Sequence, residues 1–340
     1  MNIKTSGKLY IAGEYEVLSK KGNAIIYGIS KYIDFEIVES NEFFYQTRNQ
    51  KYVYQYENNE IIDTTNEHLL IMEALKSSFN YLETKKIIIE PFGINIKTEL
   101  EDEKRQKYGF GSSAALISGI IKVILTKYLK SVDNELVFKL SVLTQISTNT
   151  LSSGGDLAAA IYGNMVYYER YNLKWLLKKY NKKDIADIDW ADLKIFQFNT
   201  NQKFAAIWTK KSYQTKQLTR IIRKKEYRTA RKIVNNVYVN LVNNKYLELK
   251  ENLKDYQKWL ENILANDDLV TSEIKKALEI TNKFHLSAKI SGAGGGDSVI
   301  VLYPNGYDFK ALREELIKND LELFVFWGEW WILLIEKISM

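Results

Sequence analysis

The 340-residue chain has no cysteine and only two histidines, His68 and His285. A disulfide framework, a thiol nucleophile and a Cys/His zinc centre are therefore excluded, and a reducing compartment is expected. Proline occurs twice, at Pro91 and Pro304, and no Pro-rich or Gly/Ser-rich stretch marks a linker, so domains must meet through a compact connection. Long apolar runs are also missing. No window approaches the roughly 18 apolar residues of a membrane span, and Met1–Tyr15 lacks the apolar stretch of a secretory leader, so a soluble cytoplasmic protein with no membrane partner is expected. No repeat of solenoid or propeller period occurs. What is present is 46% apolar content, enough for one or two full cores. The net charge of +6 is a mild bias toward anionic ligands.

The first ninety-odd residues alternate β-branched and aromatic runs with polar breaks. Strands are predicted at 9–12, 24–29, 32–38, 52–56, 87–89 and 94–97. Leu70, Ile71, Ala74, Leu75 and Phe79 fall at helical spacing within 67–82, where Asn66 is a candidate N-cap. A long buried helix is predicted from Ser112, followed by a helix over 135–146, the segment 152–160 and a strand at 165–168. The second half opens with strands at 193–198 and 204–208. One long helical stretch is predicted over 213–264 and another helix near 272–284. Strands at 286–290, 299–302, 323–327 and 331–335 bracket a helix at 309–318. The expected class is α+β, with domains 1–180 and 181–340.

The glycines mark the chemistry. Gly109-Phe110-Gly111-Ser112-Ser113-Ala114 places two glycines and two serines at the mouth of the long helix. Glycine permits close approach of backbone to an anion, the first-turn N–H groups have no intrahelical partner, and the dipole adds about half a positive charge. The spacing mimics a dinucleotide fingerprint, but the segment upstream is EDEKRQK rather than an apolar strand, so a Rossmann fold is excluded. Gly7-Lys8 lacks the upstream glycine of a P-loop. A second cluster, Ser291-Gly292-Ala293-Gly294-Gly295-Gly296-Asp297, has four glycines in five positions between two predicted strands, suiting either a demanding turn or a loop against a ligand. Lys8 on an early strand and Asp156, after Ser153-Gly154-Gly155 at a helix start, complete the parts of a phosphoryl-transfer site.

These segments, GKLYIAGEYEVL, GFGSSAAL and KISGAGGGD, together with SSGGDLAAAIYG, resemble the motifs of the GHMP small-molecule kinases, in the usual order. Within that superfamily they are most similar to the phosphomevalonate kinases. The resemblance implies a ribosomal S5-like N-terminal half, a ferredoxin-like C-terminal half, ATP and Mg2+ as cofactors, and a small mevalonate-type acceptor. It implies that Lys8 and Asp156 are catalytic, that Gly109–Ala114 binds the nucleotide, and that Ser113 contacts the metal. Lys8, Ser153, Thr215, Ser291, Gly292, Ala293, Gly294 and Gly295 would bind the acceptor. Ser6 stands where the family usually has proline, and Gln145 where mevalonate kinases have a metal-binding glutamate. Asp156 is open to two roles, base or orienter. A hydroxyl acceptor and a catalytically silent sensor remain alternatives.

A nucleic-acid partner is not expected. The basic run Lys216–Lys232 has no accompanying base-stacking aromatic motif, and a solvated helix face accounts for it. Either a monomer or a homodimer is expected.

Overall fold

In the computed structural model, residues 1–58, 60–62, 68–211, 223–264, 269–294 and 298–326 are described. The chain forms two compact units: residues 1–8 with 17–198, and residues 9–16 with 199–340. Strand β1 (Asn2–Ala12) is shared by both, an exchange that no single linear boundary expresses.

In the first unit, β2 (Asn23–Glu39) is the long central strand. Its residues were predicted as two strands; Ser30 and Lys31 look like a break in sequence but continue the ladder. Around it lie β3 (Phe43–Thr47), β4 (Gln50–Glu57), β5 (Glu60–Ile62), β6 (Phe92–Thr98), β7 (Asn164–Glu169) and β8 (Lys194–Phe198), in the order β5-β4-β3-β6-β2-β7-β8, with β1 on β2. β3 and β6 pair in parallel, Phe44 opposite Gly93, and the β2–β6, β2–β7, β3–β4, β4–β5 and β7–β8 pairs are antiparallel, as in Asn23 opposite Glu169. The predicted strand at 87–89 does not form: Ile88 is 84% exposed, and the run is an irregular connection.

The helices of this unit are α1 (Leu69–Thr84), α2 (Ser112–Tyr128), α3 (Asn134–Ser147), α4 (Gly155–Tyr162) and α5 (Leu173–Lys179). Asn66 lies outside the described residues; His68 is the residue preceding α1 and makes no capping bond. Asp133 caps α3 by accepting from the Glu135 N–H at 3.1 Å. α2 buries Ala114, Ile117, Ile120, Ile121 and Ile124, each large side chain contributing roughly 1.5–3 kcal/mol. It packs on α1, α3, α4 and β2. At Gly119 a Cβ would collide with the Phe35 ring of β2, so the absence of a side chain sets how closely α2 lies on the sheet. That packing fixes the N-terminal end of α2.

The second unit is a four-stranded antiparallel sheet ordered β10-β11-β9-β12, from β9 (Lys203–Trp208), β10 (Ser287–Ser291), β11 (Ser298–Tyr303) and β12 (Glu322–Val325). β11, reading SVIVLY, is buried along its whole length, as an inner strand demands. Its helices are α6 (Lys224–Val242), α7 (Tyr246–Leu264), α8 (Ser272–Lys283) and α9 (Lys310–Lys318). The single helix predicted over 213–264 is two within the described residues: α6 ends at Val242 with Asn243 as its C-cap, Asn244 takes φ 55°, and α7 begins at Tyr246. Asparagine tolerates that left-handed conformation, and both helices keep their apolar faces on either side of it. Residues 213–222 and the predicted strand at 331–335 lie outside the described residues. α7 packs on β10 and α6; α8 packs on β10, β11 and α9. Among the described residues no helix is long and apolar enough to cross a membrane.

Candidate active site

Lys8 lies on β1 and is 7% exposed, which is unusual for a strand lysine unless it is paired. Its backbone N–H donates to the Phe110 carbonyl at 2.9 Å, which ties the strand to the glycine segment. Its ammonium donates to the Gly109 carbonyl at 3.3 Å and stands 3.7 Å from Asp156 Oδ2, an ion pair longer than a hydrogen bond. Asp156 is in the first turn of α4, where the helix dipole favours a carboxylate, and its side chain is 31% exposed. Gly111, the N-cap of α2, has φ 78°. A Cβ there would lie 2.8 Å from Lys8 Cγ and 3.4 Å from Asp156 Oδ2. Glycine is thus required twice, by the dihedral and by the passage of the lysine stem.

Around this pair the expected nucleotide segment is only partly open. Phe110 and Ala114 are buried, so their backbone groups alone can meet a ligand, while Ser113 is exposed and Gly109, Gly111 and Ser112 are half-buried. No acidic residue occupies the first turn of α2. Gly111, the first-turn N–H groups of α2 and the Lys8 ammonium are groups of the kind that favour an anion. Magnesium delivered with a nucleotide needs only one or two protein oxygens beside phosphate and water. The Asp156 carboxylate and the Ser113 hydroxyl supply donors of that kind. Among the described residues no cluster of three or more His, Cys, Asp or Glu forms a dedicated metal cage.

The turn before α4 is built by hydrogen bonds. Ser153 Oγ accepts from the Gly155 N–H at 3.3 Å, and the Ser153 carbonyl accepts from the Tyr168 hydroxyl at 2.8 Å. Gln145 Oε1 accepts from the Ser152 hydroxyl at 3.0 Å and from its N–H at 3.4 Å. Gln145, 5% exposed, spends its carbonyl on that turn, so this position shapes the approach to Asp156.

In the second unit Ser291 ends β10 and leads into Gly292 (φ 99°), Ala293 and Gly294 (φ 81°). Ser291 Oγ accepts from the Tyr10 N–H at 2.8 Å, and the Ala293 carbonyl accepts from the Tyr15 hydroxyl. Thr215, Gly295 and Asp297 lie outside the described residues. Sequence reading missed two buried ion pairs here. Lys289 and Glu14, with side chains 0% and 2% exposed, meet at 2.5 Å; Arg231 Nε meets the fully buried Glu16 at 2.9 Å. Burial raises the Glu14 carboxyl above its ordinary pKa, and the Lys289 charge opposes that shift. The acidic pair in GEYE was the one available sign, since buried carboxylates require partners.

This geometry and this topology belong to a class of small-molecule phosphotransferases. The model of the GHMP kinases N-terminal domain matches residues 70–164 and that of the GHMP kinases C-terminal domain matches residues 237–322, together more than half of the chain. The chain belongs to the GHMP kinase superfamily and has its two-domain α+β fold. Among particular relatives, the Streptococcus pneumoniae phosphomevalonate kinase in complex with phosphomevalonate and AMPPNP superposes with a TM-score of 0.82 and 26% identity, over 95% of this chain and 98% of that one. The Lin0012 protein of Listeria innocua shares the fold at a TM-score of 0.86 and 22% identity, covering 96% and 97%. The mevalonate kinase of Methanocaldococcus jannaschii is 26% identical over 269 residues, 74% of this chain and 73% of its own length.

Proposed function

We propose that the protein transfers the terminal phosphoryl group of ATP to a small phosphorylated acceptor, 5-phosphomevalonate, yielding 5-diphosphomevalonate in the mevalonate route to isoprenoids. The observation that carries this reading is Lys8 at the mouth of α2, 3.7 Å from Asp156 and beside a glycine whose Cβ would collide with the lysine stem. The pneumococcal phosphomevalonate kinase, 26% identical along nearly its whole length, supports the choice of acceptor and nucleotide.

In this proposal the N–H groups of Gly109–Ala114 and the α2 dipole bind the nucleotide phosphates. Ser153 and Ser291–Gly294, with Thr215 and Gly295 from the sequence motifs, serve the acceptor. The acceptor phosphate, with a second pKa of about 6, is largely a dianion at pH 7, so its oxygen attacks the γ-phosphorus without a protein base. The new P–O bond forms as the bond to the ADP oxygen breaks. The chief obstacle is repulsion between anions. The Lys8 ammonium offsets it on the transferring group, and Asp156 holds that ammonium in place. Ser113 and Asp156 would hold magnesium brought with ATP, and the ion would supply further positive charge at the phosphates. The protein is taken as cytoplasmic, acting as a monomer or homodimer.

A hydroxyl acceptor is the second reading, favoured by the 26% identity to the archaeal mevalonate kinase and by the partial exposure of Asp156, which leaves its carboxylate within reach of an incoming hydroxyl. Coupled ADP release across phosphomevalonate, mevalonate, sugars and amino alcohols tests both. Turnover of phosphomevalonate is expected; turnover of mevalonate alone overturns the first reading, and no turnover of any acceptor favours a sensor.

A further inference from the structure

The loop Ser291–Gly294 is gripped by residues that no catalytic role yet accounts for. Lys289, wholly buried, directs its ammonium to Glu14 Oε1 at 2.5 Å, to the Tyr10 carbonyl at 3.3 Å and to the Ile290 carbonyl. Glu14 Oε1 also accepts from the Gly292 N–H at 3.4 Å. Tyr15 sits at φ 61°, a conformation disfavoured for a bulky side chain, and from it donates its hydroxyl to the Ala293 carbonyl. The Tyr256 hydroxyl fastens the Glu14 carbonyl at 2.8 Å from the other side. Three consecutive loop residues, Ser291, Gly292 and Ala293, are therefore each bonded to the segment Tyr10–Tyr15. That segment follows Lys8 directly in the chain.

Glu14 Oε2 is buried and has no hydrogen-bond partner. A buried ion pair with an unsatisfied oxygen is a poor way to gain stability, since well-packed apolar residues of similar volume generally hold a core as well or better. What the pair provides is direction: a charge contact inside a protein has one register, whereas apolar packing tolerates several.

We propose that Glu14, Lys289 and Tyr15 form a clasp whose role is to position the Ser291–Gly294 loop for the acceptor, making them positioning residues of the reaction. This rests on the kinase reading above. Lys289→Met alone strands a buried carboxylate and is expected to unfold readily, so the test uses Glu14→Gln/Lys289→Met, which removes both charges, and Tyr15→Phe, which removes one hydroxyl. In the double variant the melting temperature is expected to return near that of the wild type. Its kcat with phosphomevalonate should stay down by about a hundredfold, as a misplaced group predicts. The KM for that acceptor should rise, the KM for ATP should hold, and hydrogen exchange across Ser291–Gly294 should quicken. Tyr15→Phe should repeat this pattern at smaller amplitude and serves alone if the double variant does not fold. Wild-type kcat and loop exchange in a folded variant overturn the clasp. If the wild type phosphorylates no phosphorylated acceptor, the assigned function fails by itself, and loop exchange in the same variants still decides the clasp.

Discussion

The two glycine-bearing segments are each attended by a lysine and a carboxylate, and the pairs are built in opposite ways. Lys8 and Asp156 stand 3.7 Å apart with the carboxylate 31% exposed; Lys289 and Glu14 meet at 2.5 Å with neither side chain more than 2% exposed. A cation that is to meet an incoming phosphoryl group needs a loose partner and an open side, because its interaction must strengthen in the transition state. A cation that holds backbone needs a close partner and no water. Lys289 accordingly directs its ammonium to Tyr10, Glu14 and Ile290, and the Lys8 ammonium meets the Gly109 carbonyl at 3.3 Å and stands farther from its carboxylate. In the proposed mechanism the same residue types, placed at different depth, divide into reacting and fastening roles.

The largest expected effect breaks the open pair. In Gly111→Val the added side chain meets Lys8 Cγ within 2.8 Å and requires a backbone at φ 78° that valine resists, so nucleotide binding should vanish in calorimetric titration while unfolding stays cooperative. Unchanged ATP affinity would remove α2 from the nucleotide site. Next in size, Lys8→Met should lower kcat by about a hundredfold, or roughly 3 kcal/mol, with little change in the KM for ATP. The same replacement at Lys289 should instead lower stability by about 3–5 kcal/mol, since it leaves Glu14 buried and unpaired. Equal effects of both on melting would erase the distinction between them.

How much of this could be read from the sequence follows from the range of each cue. The junction at Gly111 is local: glycines, serines and helical periodicity lie within twenty positions, and α2 begins at Ser112 as predicted. The strand lysine was equally visible, but its burial was not, because burial of Lys8 depends on the Phe110 carbonyl and Asp156 far along the chain. Glu14 and Lys289 are 275 positions apart and carry no cue except two acids in a short motif. The single helix expected over 213–264 shows the limit of periodicity, which passes through Asn243–Lys245 while the backbone turns there. Short, lysine-rich α5 was missed because its pattern is too brief to separate from a loop. Division of β1 between the two units is a property of packing, and no window of sequence contains it.

A smaller effect sharpens the role of the open carboxylate. Asp156→Asn keeps size and hydrogen bonding but removes the charge that faces Lys8. With phosphomevalonate it should reduce kcat strongly but incompletely, leaving an acid limb of the pH profile near 6 that belongs to the acceptor phosphate. With mevalonate the same substitution would remove the proton acceptor itself, and turnover should fall further than with phosphomevalonate. Profiles of kcat/KM for both enzymes with both substrates separate orienter from base.

The smallest effect tests the buried pair through the sign of its pH dependence. Burial raises the Glu14 carboxyl above 4.5 in spite of Lys289, so the folded state binds that proton more readily than the unfolded chain. The associated stability is complete below the unfolded value and is lost as pH rises through the folded one. Tyr256, which fastens the Glu14 backbone, has its hydroxyl pushed well above the ordinary tyrosine range by burial and so stays neutral in this window. Wild type should therefore gain melting temperature relative to Glu14→Gln/Lys289→Met as pH falls from 7 toward 4.5, by no more than a few degrees. An ordinary salt bridge, with its carboxyl held below the usual range, would make the wild type lose ground over the same interval. That result would mean Lys289 outweighs burial, and the contrast with the Lys8–Asp156 pair would then rest on distance and carboxylate exposure.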